Sequence, residues 1–512
     1  MATTDWAQLQ PQPQPESQPE PEPVPAPAAA YSHSSKSSGG GTGVGAGVGT
    51  GVAIDMAGVQ RESDFVPLPR HYLAALCQDY VDIVFPMYPI MSPSDVEVSI
   101  GAVDTDADHR SFVYALAAAT MSITSAQSRH EATDVVQRII SLCRESLTVR
   151  RPLLSRDTVS VRLIMTSVFI QISLAEIQDV ATAWFHLREA TTMTQILRVD
   201  HVDELAQLDL PARARLQRLY WMLFIHERFL ALWDYRPVSL APLATLPERD
   251  SAVPHAIQTG FDRIIKLFRL VDSTFLDARS NSTSPLTSNP KPNPVPSLTY
   301  DWVRQKQAAL GQDDDAADVY DSHDAPGSKS LSEMQHIDLI ITRTWLRILL
   351  WQTAMGAGLL SRLSLDADGT PDPHPGNASM SPFFPVRLAP VLRSSLTNTS
   401  LAALESHGCC LLQKLFEIVN TIADVLVHVS VPAPASVTAA PTSPSNLAEG
   451  AEHMSHLLFL VRFLLNLCWK SPVRSQILNR RIEGLCLKFL DLQRVITENS
   501  PLPSSLVVTA AS

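Results

Sequence analysis

The chain has 512 residues, with 40 Lys and Arg against 52 Asp and Glu, a net charge of -12, 38 Pro, 20 Gly and 6 Cys. Charged residues make up 18%, below the roughly 25% of an ordinary soluble protein, and the length suits about two to four domains. The acidic balance argues against a broad cationic surface for nucleic acid, since phosphate contacts need clustered Lys and Arg. The cysteines are too sparse for a disulfide scaffold.

Residues 1–62 read as a disordered tail. The start has neither the basic-then-apolar layout of a secretory signal nor the Arg content of a transit peptide. Residues 10–27 largely alternate Pro with Gln and Glu, which suits polyproline II, and residues 39–51 are a Gly-rich tract with too little apolar surface to fold. Lys36 is the only Lys or Arg before residue 61, so the tail does not read as a nucleic-acid-binding arm.

Residues 63–279 read as helix after helix. Tyr72, Leu76, Tyr80, Ile83 and Val84 share a face and predict a helix over 70–85, stopped by Pro86 and Pro89. Helices are expected over 110–126, 131–149, 157–175, 180–198, 211–233 and 254–275. The uncharged run 111–127 is short for a bilayer span and rich in Ala, Ser and Thr, so it predicts a helix buried in protein. No membrane association is expected. A reducing compartment is the default, and the sequons at Asn281, Asn377 and Asn398 then carry no weight.

Residues 280–330 form a polar linker with one short helix at 302–310. A second helical half spans 331–498. Its stripes are Ile337, Ile341, Trp345 and Ile348, then Leu412, Leu415, Val419, Ile422 and Leu426. Met454, Leu457, Leu458, Val461, Leu465 and Cys468 give the cleanest one, and Leu478, Ile482, Leu485 and Phe489 close the series. Pro-rich loops are expected over 364–396 and 431–448, and a tail over 499–512. Strand signals are nearly absent. The fold class is all-α and multi-helical, with long polar loops and a disordered N-terminal tail.

Enzyme motifs fail on inspection, and no catalytic, cofactor-binding or metal-binding residue is expected. Asp314, Asp315 and Asp318 spell DDAAD, the pattern with which helical terpene and prenyl synthases hold Mg²⁺. Here it sits in a polar loop without a second metal motif, and reads as a solvated acidic loop. His226-Glu227 opens like HExxH, but Leu230 takes the place of the second ligand. His453 and His456 lack an acid or Cys cluster to complete a site, and Cys409-Cys410 read as buried small apolar residues.

Residues 183–240 are the most distinctive part. Trp184, Leu187, Ala190, Met193 and Leu197 share one helix face. The next helix, capped by Asp209 with Pro211 in its first turn, is apolar nearly all round and therefore central. Charges on such a helix need partners. The sequence predicts an ion-pair network of Arg188, Glu189, Glu227, Arg228 and Arg236, which staples the core and leaves a ligand pocket as the lesser reading.

The elements Leu187-Arg188-Glu189-Ala190, Arg218-Leu219-Tyr220-Trp221, Glu227-Arg228 and Arg236-Pro237-Val238 occur together here. Upstream stand Tyr80, Phe85-Pro86 and Tyr88-Pro89-Ile90. This set resembles the regulatory middle homology domain of fungal binuclear-zinc-cluster transcription factors, in the subgroup around maltose- and starch-utilisation activators. The likeness covers about residues 65–275 well and extends more loosely to about 495. It implies an all-α regulatory domain, a nuclear location, and control of a secondary-metabolite or sugar-use gene set. It also implies partners among other transcription factors or the transcription machinery, with homo- or heterodimers possible.

Members of that family read DNA with six closely spaced Cys that hold zinc. Here the cysteines are Cys77, Cys143, Cys409, Cys410, Cys468 and Cys486, too scattered for such a cluster, so direct DNA binding by this chain is doubtful. Three readings stay open at this point: a regulator that acts through partners, a gene model that has lost an upstream zinc-cluster exon, and a helical Mg²⁺-dependent enzyme.

Overall fold

The computed structural model describes residues 68–124, 129–148, 155–282, 298–312, 331–360, 378–428, 444–468 and 480. The Pro- and Gly-rich tail, the DDAAD run, Asn377, the 478–489 stripe and the final tail all lie outside the described residues, or nearly so.

The described fold is all-α, with no strand among the described residues. Helix α1 (Arg70–Asp79) runs directly into a π-helical turn (Tyr80–Val84), and the chain then breaks at Pro86. Ser92 starts α2 (Pro93–Gly101) with a full capping box, its hydroxyl facing the Asp95 amide while the Asp95 carboxylate takes the Ser92 amide.

Helix α3 (Ala107–Thr124) is the run that the sequence predicts as a helix buried in protein. Ten consecutive residues from Ser111 to Thr120 are buried, wrapped by α4 (Arg129–Thr148) and α5 (Val161–Glu176). Its small side chains let those neighbours approach closely. Among the described residues no helix is long and apolar enough to cross a membrane.

Helix α6 (Val180–Ile196) is followed by a single turn, α7 (Val202–Leu205), and then by α8 (Leu210–Asp234). Asp209 caps α8 through the Ala212 amide, and Pro211 occupies the first turn, where no donor is lost. Helix α8 ends at Tyr235, whose φ of 54° turns the chain back on itself. Residues 235–254 then return along α8 without regular structure.

The helix expected over 254–275 is divided into α9 (His255–Arg269) and α10 (Ser273–Ser282). Asp272 caps the second piece by accepting from the Phe275 amide at 3.0 Å. Helix α11 (Tyr300–Gly311) lies inside the polar linker and packs on α12 (Glu333–Gly356), with Gln307 Nε2 donating to the Arg347 carbonyl at 2.8 Å.

The loop expected over 364–396 needs correction. A helix, α13 (Phe384–Thr397), fills its end. Pro385 sits in the first turn, where its missing N–H costs nothing, and Pro390 lies on the exposed side. A short turn, α14 (Leu401–Glu405), precedes α15 (Gly408–His428). The last described helix, α16 (Pro444–Cys468), starts inside the second expected loop and packs on α13 and α15.

Elements from both sides of the linker share one apolar core. Trp221, Trp345 and Trp351 are its largest fully buried side chains. The Phe229 ring of α8 meets the Trp345 ring of α12 at 5.4 Å. Arg279 of α10 pairs with Glu417 of α15 at 2.9 Å, and Glu417 also accepts the Trp345 indole N–H at 2.8 Å.

Candidate functional site around helix α8

Helix α8 is buried on nearly every side, so each polar group on it must find a partner inside the protein. On one side that partner is the returning segment 235–254. Tyr220 donates its hydroxyl to the Ala241 carbonyl at 2.8 Å, and Trp221 its indole N–H to the Thr245 carbonyl at 3.1 Å. Arg213 forks onto Glu248 at 2.7 and 2.9 Å. Arg218 reaches Asp250 at 3.0 Å and the Pro89 carbonyl at 2.8 Å. The Arg218 and Asp250 side chains are 1% and 2% exposed, so this ion pair is fully internal. Burial lowers the Arg218 pKa, and the Asp250 carboxylate works in the opposite direction.

Glu227 lies further along the same side. Its Oε1 accepts from Arg188 at 2.8 Å and from the Ser239 hydroxyl at 2.8 Å. Its Oε2 accepts from the Ser239 amide at 3.0 Å and the Leu240 amide at 2.9 Å. Four donors on one carboxylate repay much of its desolvation.

Of the five residues expected to form a network, Arg188 and Glu227 meet directly. Arg228 turns to backbone, donating to the Leu240 carbonyl at 3.1 Å and the Val271 carbonyl at 3.3 Å, with its guanidinium over the Phe224 ring. Burial, against the pull of Glu227, brings its pKa down to about 10. Arg236 pairs with Asp234 at 2.7 Å and lies over the Trp184 ring of α6 at 4.9 Å. Glu189 faces away from α8, toward His186 at 3.0 Å and the Ser167 hydroxyl of α5 at 2.8 Å.

The other side of α8 borders a cavity of about 120 Å³. Its apolar wall includes Ile172, Met222, Phe229, Trp233 and Phe261. Its polar groups are Gln171 and Glu176 of α5, His226 of α8, Asp338 of α12, His407 of the turn before α15 and Lys414 of α15. Lys414 Nζ donates to Asp338 at 3.0 Å and to the Thr342 hydroxyl at 2.7 Å. Burial opposes ionisation of Asp338, but Lys414 and His407 outweigh it and hold the carboxyl below its usual range.

Glu176 accepts the Cys409 amide at 2.6 Å across the cavity rim. The approach depends on Gly408. Its φ of 61° is left-handed, and a Cβ there would run into the Glu176 carboxylate.

His226 is held by Gln171, whose Oε1 accepts a hydrogen bond from Nδ1–H at 3.0 Å. The Tyr88 ring stands edge-on to the imidazole at 5.5 Å. Burial first, and then Lys414, bring the His226 pKa down to about 4, so the ring is neutral near pH 7. Cys410 and burial push the Cys409 thiol well above the ordinary range, which disfavours its thiolate. Among the described residues no three His, Cys, Asp or Glu side chains are grouped to hold a metal ion. The cavity combines a mostly apolar wall with a few directed polar atoms.

The sequence reading singled out Glu227 and passed over its neighbour His226 as half of a failed zinc motif. It also missed Arg218–Asp250 and Asp338–Lys414. A signal existed for the latter pair: each is a lone charge inside an apolar helical stripe, Asp338 beside Ile337 and Ile341, and Lys414 between Leu411 and Leu415.

No protein-family profile matches the chain, and no solved structure matches it. Two fungal proteins do. The chain is 20% identical over 367 residues to the probable sucrose utilization protein SUC1 of Candida albicans, across 71% of this chain and 66% of that protein. It is 22% identical over 312 residues to the maltose fermentation regulatory protein MAL13 of Saccharomyces cerevisiae, across 58% of this chain and 61% of that protein. The chain thus spans somewhat less than two thirds of each relative, and over that span it is similar to a fungal sucrose utilization protein and to a fungal maltose fermentation regulatory protein.

Proposed function

We propose that the chain is a transcriptional regulator of a sugar-use gene set, and that its helical region acts through protein partners in the nucleus. The observation that carries this reading is the similarity over 367 residues to a sucrose utilization protein, joined by that to a maltose fermentation regulator. The residues that the sequence tied to a fungal regulatory domain have coherent physical work here: Arg218, Tyr220, Trp221, Glu227 and Arg228 all fasten segment 235–254 to α8. Neither relative is named as an enzyme, which fits a non-catalytic role.

The partner-dependent part rests on the cysteines and the charge. Within these 512 residues the six Cys are scattered from Cys77 to Cys486, and the net charge is -12. Phosphate contacts would therefore be few, and promoter affinity weak and strongly salt-dependent. Deleting the gene and measuring transcripts after a shift to sucrose or maltose tests the regulatory role, which unchanged transcripts would refute. A gel shift of the purified chain on the responding promoters tests the partner requirement. Weak binding that disappears at physiological salt is expected, whereas tight sequence-specific binding would overturn it.

A further inference from the structure

We infer that the cavity between α5, α8, α12 and α15 is a binding site for a small uncharged molecule with an apolar body and one hydroxyl, such as a single-ring phenol or alcohol. The inference stands on the cavity and is independent of the proposed function. Size comes first. A volume of about 120 Å³ is close to that of an engineered apolar cavity of about 150 Å³ that stays dry and takes up benzene. A disaccharide is far larger and carries a hydroxyl on most of its carbons. Walls such as Ile172, Met222, Phe229 and Phe261 could not satisfy those groups. The site therefore excludes the sugars after which the two relatives are named.

The polar end then selects among small apolar molecules. The Lys414 ammonium is already matched by Asp338 at 3.0 Å, and Glu176 lies on the same rim. An anionic ligand would meet carboxylates there without a free counter-charge, and a cation would meet Lys414. His226 is the group left to recognise a ligand. Its Nδ1 is taken by Gln171, and no protein group hydrogen-bonds its Nε2 among the described residues. That nitrogen is an acceptor on the cavity wall, and a hydroxyl is the complement that suits it. The cavity joins helices from both sides of the polar linker, so an occupant would touch α5 and α8 together with α12 and α15.

The test is calorimetric titration of the full chain with p-cresol, toluene, benzoate and maltose. Quenching of Trp233, which lines the cavity, gives a second readout. The expected result is saturable binding of p-cresol, at least tenfold weaker binding of toluene, and none of benzoate or maltose. In the Ala175→Met variant, whose longer side chain fills the cavity from α5, p-cresol binding should be lost. In His226→Leu, p-cresol should fall to the level of toluene while toluene is unchanged. Each variant is first checked for wild-type helical circular dichroism, and the wild-type ligand series decides the question even if both variants misfold. Equal binding of toluene and p-cresol, binding of maltose, or no binding of p-cresol overturns the inference.

Discussion

His226 and Glu227 are consecutive residues on one buried helix, yet they face opposite kinds of surroundings. Glu227 is closed in by four donors, three of them from the returning segment at Ser239 and Leu240. His226 has one hydrogen-bond partner among the described residues, Gln171, and borders the cavity. The difference shows how a core helix divides its work. A polar group that meets folded backbone on every side is structural, and one left half-satisfied beside a cavity has capacity to bind.

The largest effect is expected at Glu227. Glu227→Ala would remove the acceptor shared by Arg188, the Ser239 amide and the buried Leu240 amide, and should cost about 3–5 kcal/mol of stability in urea denaturation. A loss under about 1 kcal/mol would show that water reaches this side after all.

The cavity side should respond to pH. The His226 pKa falls from an ordinary 6.5 to about 4 in the folded chain, through burial and then Lys414. Between those values the unfolded chain takes up a proton that the folded chain refuses. Stability therefore falls as pH drops from about 6.5 to about 4, by up to roughly 3 kcal/mol from this group, and is unaffected by it above that window. His407, lowered by burial and by Lys414 although Asp338 opposes the shift, adds in the same direction. Denaturation of His226→Leu across this range should show a slope smaller by about one proton.

Gly408 joins the two sides of the cavity. Gly408→Ala forces a side chain into a left-handed position and against Glu176. A loss of about 2 kcal/mol in thermal or urea unfolding is expected. The smallest effect should come from Arg188→Ala. Its side chain is 32% exposed, and three donors remain on Glu227, so about 1 kcal/mol is expected.

Much of the fold was legible because helical periodicity is long and repetitive. The stripe from Ile337 to Ile348 and the all-round apolar character of 216–232 are visible without coordinates. Helix α13 was not, because Pro385 and Pro390 look like loop residues until one knows that the first sits in a first turn and the second faces outward. The break at 270–272 was hidden for the converse reason, since apolar spacing continues across it. Within the site, a buried charge announces the need for a partner without naming it. Glu227 and Arg188 are 39 residues apart and meet, whereas Glu189, adjacent to Arg188, points to α5. The cavity was illegible because its walls come from helices separated by more than two hundred residues.

The division of α8 into a sealed side and an open side is tested most directly by amide hydrogen exchange on the full chain, with and without saturating p-cresol. Slower exchange is expected in α5, α8 and α15 around the cavity, with residues 236–253 unchanged. Unchanged exchange around the cavity, or protection that appears first in 236–253, would contradict it.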